Sequence, residues 1–223
     1  MELVEYPDRE LMMISLADRL ASELATAVRG KDSVSFCVPG GTTPGPVFDT
    51  LSGIGIDWDR VTVFLNDERW VPESHARSNA RLVRQRLLAG RAAAAHFLPF
   101  YADTPEPEQA LDALTSALSP HLPIDVLLLG MGADMHTASL FPGAERLAEA
   151  LAPDAPVLMA LRAAGAGEPR VTLTARVLAD AMACHILITG PEKRAALDRA
   201  QGLPAEEAPV NAVLANATVH WAE

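Results

Sequence analysis

The chain has 223 residues, of which 49% are hydrophobic and 21% charged, and it carries a formal net charge of −11. That apolar content builds a sizeable core and excludes a disordered chain. No apolar run reaches the ~18 residues of a membrane span, and no run of Lys or Arg offers concentrated positive charge, so neither nucleic acid nor membrane is expected as a partner.

The N-terminal stretch MELVEYPDRE is acidic and lacks the pattern of a secretory signal, and Cys37 and Cys184 are far apart in apolar runs. Both features lead us to expect a cytoplasmic protein with reduced core thiols and no metal site. Residues 8–29 repeat Leu11, Ile14, Ala17, Leu20, Leu24 and Val28 at steps of three and four, which predicts an amphipathic helix opened by Pro7-Asp8 and closed by Gly30. Ser33–Val38 reads as a buried strand. It runs into Pro39-Gly40-Gly41-Thr42-Thr43-Pro44 and a helix to about Leu51. A strand, a glycine turn and a helix start make a cradle for an anion, since backbone N–H groups point outward there. The same pattern also suits a plain tight turn. It is not a nucleotide-binding P-loop, because Pro46-Val47 stand where Lys-Ser/Thr is required.

Val61–Leu65 is the next expected strand, ending in the polar run Asn66-Asp67-Glu68-Arg69 before Trp70-Val71-Pro72. Four polar residues there need partners, either an Asp67–Arg69 ion pair or a ligand. Ser78-Asn79 cap a helix through Leu88, His96–Tyr101 suggests a short strand, and Gln109–Leu118 a helix. Ile124–Leu129 has the apolar density of a strand buried on both faces. After it come Gly130, Gly132, Asp134 and His136, and then Thr-Ala-Ser-Leu-Phe, which predicts a helix start incorporating Ser139. Val157–Leu161 is a further strand. The small-residue connection 163–168 leads to Arg170 at the entrance of another. Cys184–Thr189 precedes a helix opened by Gly190-Pro191-Glu192-Lys193, where a lysine opposes the helix dipole and suits a nearby anion. A short helix at Val210–Leu214 and a strand at Ala217–Trp221 close the chain. The alternation predicts one α/β domain over residues 1–223, with a mostly parallel open sheet flanked by helices on both faces.

Among the six histidines, His136 alone sits in a glycine-flanked loop with a carboxylate, Asp134, two residues away. A neutral imidazole oriented by a carboxylate suits a general base near neutral pH. His75, His96, His121, His185 and His220 read as surface or packing residues. No zinc-binding spacing is present, Gly130-x-Gly132 lacks the third glycine of a dinucleotide fingerprint, and no Gly-x-Ser-x-Gly elbow supports a serine nucleophile.

Five segments taken together resemble one family: PGGTTP at 39–44, NDERWVP at 66–72 with Ser78-Asn79, GMGADMHTASLFPG at 130–143, PRVTLT at 169–174, and TGPEK at 189–193. The chain is similar along its whole length to the 6-phosphogluconolactonases of the glucosamine-6-phosphate deaminase/isomerase superfamily. The resemblance implies hydrolysis of 6-phospho-D-glucono-1,5-lactone to 6-phosphogluconate, with no cofactor, on a small-molecule substrate, by a protein expected to act as a monomer. It implies that His136 activates water, that Asp134 supports its imidazolium, and that Arg69 and glycine-loop N–H groups face the oxyanion. Gly41, Thr42, Thr43, Arg170 and Lys193 would hold the phosphate, with Asp67 and Asn79 as further substrate-binding candidates. Two alternatives stay open: a phosphosugar isomerase or deaminase of the same fold using Asp67 as base, and a non-catalytic sugar-phosphate sensor. One residue departs from the family pattern. Met135 occupies a place where glycine is usual, which would cost about 1–2 kcal/mol if the backbone there needs positive φ; either a compatible backbone or strain tolerated at the site is expected.

Overall fold

A computed structural model describes residues 1–164 and 167–223. The elements follow as β1 (Glu2–Glu5), α1 (Arg9–Gly30), β2 (Val34–Val38), α2 (Gly45–Gly53), β3 (Val61–Leu65), β4 (Asp67–Arg69), α3 (Asn79–Arg86), β5 (His96–Leu98) and α4 (Leu111–Leu118). The second half contributes β6 (Val126–Gly130), α5 (Leu147–Leu151), β7 (Leu158–Leu161), β8 (Arg170–Leu173), α6 (Ala175–Ala179), β9 (Ala183–Thr189), α7 (Pro191–Ala200), α8 (Asn211–Leu214) and β10 (Ala217–Ala222). Of the connection at 163–168, residues 165 and 166 lie outside the described residues.

Among the described residues, seven strands form one sheet in the order β1-β10-β9-β6-β2-β3-β5. Every neighbouring pair in it is parallel. This is the mostly parallel α/β architecture that the alternation predicted. Strands β2 and β3 are buried along their whole length, as a parallel strand covered on both faces must be. The chain runs outward from β2 through β3 to β5 and then returns to β6 on the other side of β2. The loops after β2 and β6 therefore diverge at one carboxyl edge, the place where open α/β sheets leave a crevice. Helix α1 packs on β2, β6 and β10, while α7 and α8 pack on β9 and β10.

Three expectations need correction. First, β4, β8 and β7 form a separate antiparallel sheet. The polar run at 67–69 is thus a strand, because Arg170–Leu173 supplies the ladder partner that the local sequence does not reveal. Second, no helix follows His136. Residues 131–146 form a looped segment in which Gly132 N–H donates to His136 O (3.0 Å), Met135 N–H to Gly132 O (3.0 Å), and Thr137 pairs with Leu140; the next helix waits until Leu147. Third, α1 turns a slightly different face to the core. Leu11 and Ile14 are 45% and 50% exposed, and Met12, Met13 and Leu16 take the buried stripe with Ala17, Leu20, Leu24 and Val28.

Candidate active site

The crevice at the β2/β6 edge is a cavity of about 330 Å³, within the range of small-ligand sites. Its walls come from five segments: the Pro39–Pro44 turn, the β3–β4 junction with the start of α3, the end of β6 with the loop after it, β8, and β9 with the start of α7.

In the loop after β6, His136 Nδ1 lies 2.5 Å from Asp134 Oδ1, and the same carboxylate oxygen accepts the His136 backbone N–H at 3.2 Å. A carboxylate only accepts, so Nδ1 carries the proton, and in the neutral ring the lone pair is on Nε2. The His136 side chain is 30% exposed and lines the cavity, while Asp134 stands behind it, 53% exposed. The imidazole is braced on its other side by Phe141, with ring centroids 4.3 Å apart. Gly132 is the reason the pair fits, because a Cβ at that position would collide with both His136 and Asp134. Met135 adopts φ 67° and Ala138 φ 48°. Of the two outcomes expected at Met135, the compatible backbone fails and tolerated strain is left: the turn holds a non-glycine residue in left-handed space, where L side chains are disfavoured. It is pinned there by Val210, whose N–H donates to Met135 O at 3.1 Å.

The opposite wall is cationic. The antiparallel register sets Arg69 directly across from Arg170, a like-charge pairing that is unfavourable in itself. Asp67 offsets it, with its Oδ2 3.6 Å from Arg170 Nη1 and 2.5 Å from Ser139 Oγ. The Asp67–Arg69 ion pair entertained from sequence is replaced by this Asp67–Arg170 pair. Burial pulls the Arg170 guanidinium down from its ordinary value, and Arg69 and Arg77 add to that, against Asp67 and Glu168. Arg69 Nη1 donates to Arg77 O (2.7 Å) and to Asn79 Oδ1 (2.8 Å). Asn79 Nδ2 donates to Asp67 O at 2.9 Å, and its amide sits so close to Gly40 that no Cβ could stand there.

Glu68 ties this wall together. It is wholly buried, taking the backbone N–H groups of Arg69, Asn79 and Ala80 at 2.8 Å each and the Ser78 hydroxyl at 3.1 Å. Burial pushes its carboxyl up from the usual range, opposed by those backbone donors. Across the cavity Lys193, in the first turn of α7, is held below its ordinary value by burial, with Glu192 and Asp134 pulling the other way. Lys193, Arg69 and Arg170 thus give a local cationic pocket to a chain of net charge −11.

Comparison with known proteins bears on what this pocket serves. A family model described as glucosamine-6-phosphate isomerases/6-phosphogluconolactonase matches residues 7–221. The chain belongs to this family. Within it, the chain is 44% identical to a 6-phosphogluconolactonase of Mesorhizobium japonicum, over 94% of this chain and 88% of that one. It is 42% identical to one of Pseudomonas aeruginosa, over 92% and 88%. The crystal structure of a 6-phosphogluconolactonase from Shewanella baltica superposes with a TM-score of 0.96 at 32% identity, covering 100% of this chain and 98% of that one. A monomeric glucosamine-6-phosphate deaminase shares the fold, with a TM-score of 0.83 at 14% identity.

Of the residues singled out in this family member's sequence, Gly41, Thr43, Asp67, Arg69, Asn79, His136, Arg170 and Lys193 all line the one cavity. Thr42 does not. It lines the neighbouring groove between α1 and α2, beside Arg9, Met13 and Thr50. Phe141 and Thr172 were not singled out in the sequence, Glu68 only as one of four polar residues needing partners, and Ser139 only as part of a helix start. Thr172 Oγ1 takes the Ser139 N–H at 3.2 Å, so Ser139 ties the loop after β6 to the second sheet instead of starting a helix. A buried acidic residue between two residues already singled out was the one signal for Glu68; the others depend on a strand pairing invisible in a single sequence. No group of three or more His, Cys, Asp or Glu side chains able to hold a metal ion occurs among the described residues.

Proposed function

We propose that the chain hydrolyses 6-phospho-D-glucono-1,5-lactone to 6-phospho-D-gluconate. His136 Nε2 removes a proton from water as the oxygen attacks the lactone carbonyl carbon. A tetrahedral oxyanion forms, and its collapse expels the ring oxygen, which takes the proton back from the imidazolium. Asp134 keeps the proton of His136 on Nδ1 and balances the positive charge that develops on the ring. Arg69 stabilises the oxyanion electrostatically. Gly41, Thr43, Lys193 and Arg170 receive the phosphate, and Asn79 holds the guanidinium of Arg69. The observation that carries this reading is the placement of a carboxylate-oriented imidazole in the same cavity as a glycine turn and three cations. That combination suits an uncharged ester attached to an anion.

The isomerase or deaminase alternative asks Asp67 to take a proton from carbon. Its Oδ2 is already shared between Ser139 and Arg170, which makes it a poor free base. The test is a coupled assay in which the lactone is generated from glucose 6-phosphate by its dehydrogenase and the appearance of 6-phosphogluconate is followed. The protein should accelerate the opening well above the uncatalysed rate, and Lys193→Ala should raise KM by roughly tenfold with kcat little changed. No acceleration over buffer would refute the proposal.

A further inference from the structure

Two buried polar atoms in the cavity wall, Asn66 Oδ1 and Arg69 Nε, have no hydrogen-bond partner among the described residues. Both residues line the cavity. Asn66 is wholly buried at the carboxyl end of β3, where its backbone N–H donates to Val38 O (3.0 Å) and its carbonyl accepts from Leu173 N–H (2.9 Å). Its Nδ2 donates to Leu128 O at 3.2 Å. Turning the amide over would set Oδ1 against that carbonyl, so the orientation is fixed and a bare acceptor is what the side chain offers. Buried polar atoms are nearly always paired, and one left over in a ligand cavity points to a partner brought by the ligand.

The chemistry of that partner follows from the direction of the bond. Asn66 Oδ1 needs a donor. A phosphate dianion, a lactone carbonyl and a ring oxygen offer none, whereas the hydroxyl groups of the sugar ring do. Arg69 Nε, on a residue lining the same cavity, offers the complementary donor to a second ligand oxygen. We infer that Asn66 is a specificity-determining residue that accepts a hydrogen bond from one ring hydroxyl of the bound phosphosugar lactone. This inference rests on the lactonase reading for its choice of substrate, and it concerns the polyol portion, which the phosphate and carbonyl contacts leave unread. A site built to bond a hydroxyl rejects the analogue that lacks it, because the buried acceptor is then stranded.

The test compares wild type, Asn66→Leu and Asn66→Ala on the parent lactone and on its 2-, 3- and 4-deoxy analogues. Cooperative unfolding of each variant is verified first, and the alanine variant serves if the leucine does not fold. Wild type should lose roughly 100-fold in kcat/KM on one of the deoxy lactones. Both variants should lose a similar factor on the parent and treat that one analogue as well as the parent. Variants that keep the wild-type ratio for every analogue would overturn the inference, leaving Asn66 with a water or with Leu128 alone. Calorimetric binding of 6-phosphogluconate and its deoxy counterparts is read alongside. A wild type that discriminates in binding but opens no lactone defeats the hydrolase reading and keeps Asn66. A wild type that opens all the lactones equally defeats the role of Asn66 and keeps the hydrolase.

Discussion

At position 132 an added Cβ would stand 2.2 Å from His136 Nδ1 and 2.4 Å from Asp134 Oδ1. Both atoms belong to the dyad, so Gly132→Ala must push the imidazole out of its working position. We expect kcat to fall about 10–100-fold, since a displacement near 1 Å at a reacting group costs on that order, while the unfolding midpoint moves far less. Steady-state kinetics beside a denaturant titration separates the two effects. Met135 two residues before Thr137 makes the converse case. Its φ of 67° is a cost borne by the folded state, and Met135→Gly should be more stable than Met135→Ala by about 1 kcal/mol, because only glycine enters left-handed space freely. Equal unfolding free energies for the two variants would show that the turn is unstrained. The pairing of Asp134 with His136 was legible in sequence, since a carboxylate two residues from a histidine in a glycine-flanked loop is within reach of its ring. The sign of φ at Met135 was not, because a methionine gives no local warning of a left-handed turn.

Strands and helices of the main sheet were legible because each is a dense apolar run or a helical stripe bounded by glycine or proline. The β4-β8-β7 sheet was not, because Asp67, Glu68 and Arg69 look like a loop until Arg170–Leu173 is placed beside them. The same applies to the pairing of β9 with β10, which assembles a buried polar chain out of residues read as isolated. Tyr6 Oη meets His220 Nδ1 at 2.9 Å, His220 Nε2 meets His185 Nδ1 at 3.0 Å, and His185 Nε2 meets Glu23 Oε2 on α1 at 2.8 Å. Burial, then the neighbouring His185 and Arg19, depress His220 to about 3 from an ordinary 6.5, against Glu23. Between those values the unfolded chain binds a proton that the folded one refuses, so stability is present above pH 6.5 and is lost as the pH falls towards 3. Denaturant unfolding below pH 6 should show a slope approaching 1.4 kcal/mol per pH unit from this residue, and His220→Gln should flatten it. An unchanged slope in the variant would mean that His220 is protonated in the fold.

Over the whole molecule, the return of the chain from β5 to β6 puts five sequence-distant segments around one crevice and leaves the thiols far inside. Burial drives the Cys37 thiol well above its ordinary value, and takes Cys184 to about 12. Neither should react with an aromatic disulfide reagent at pH 8 until the protein unfolds globally, and rapid labelling of the native protein would contradict a core of this depth. The cavity also collects Arg69, Arg170 and Lys193 within a chain of charge −11, a contrast that composition alone hides because it averages over the surface. The hydrolysis proposed for this crevice depends on His136 drawing the proton from water. The direct measurement is kcat of His136→Ala on the phosphorylated lactone, corrected for spontaneous opening. A loss of about 10²–10⁴-fold, with KM little changed and activity partly restored by added imidazole, is the expected result; a variant that turns over at the wild-type rate would contradict it.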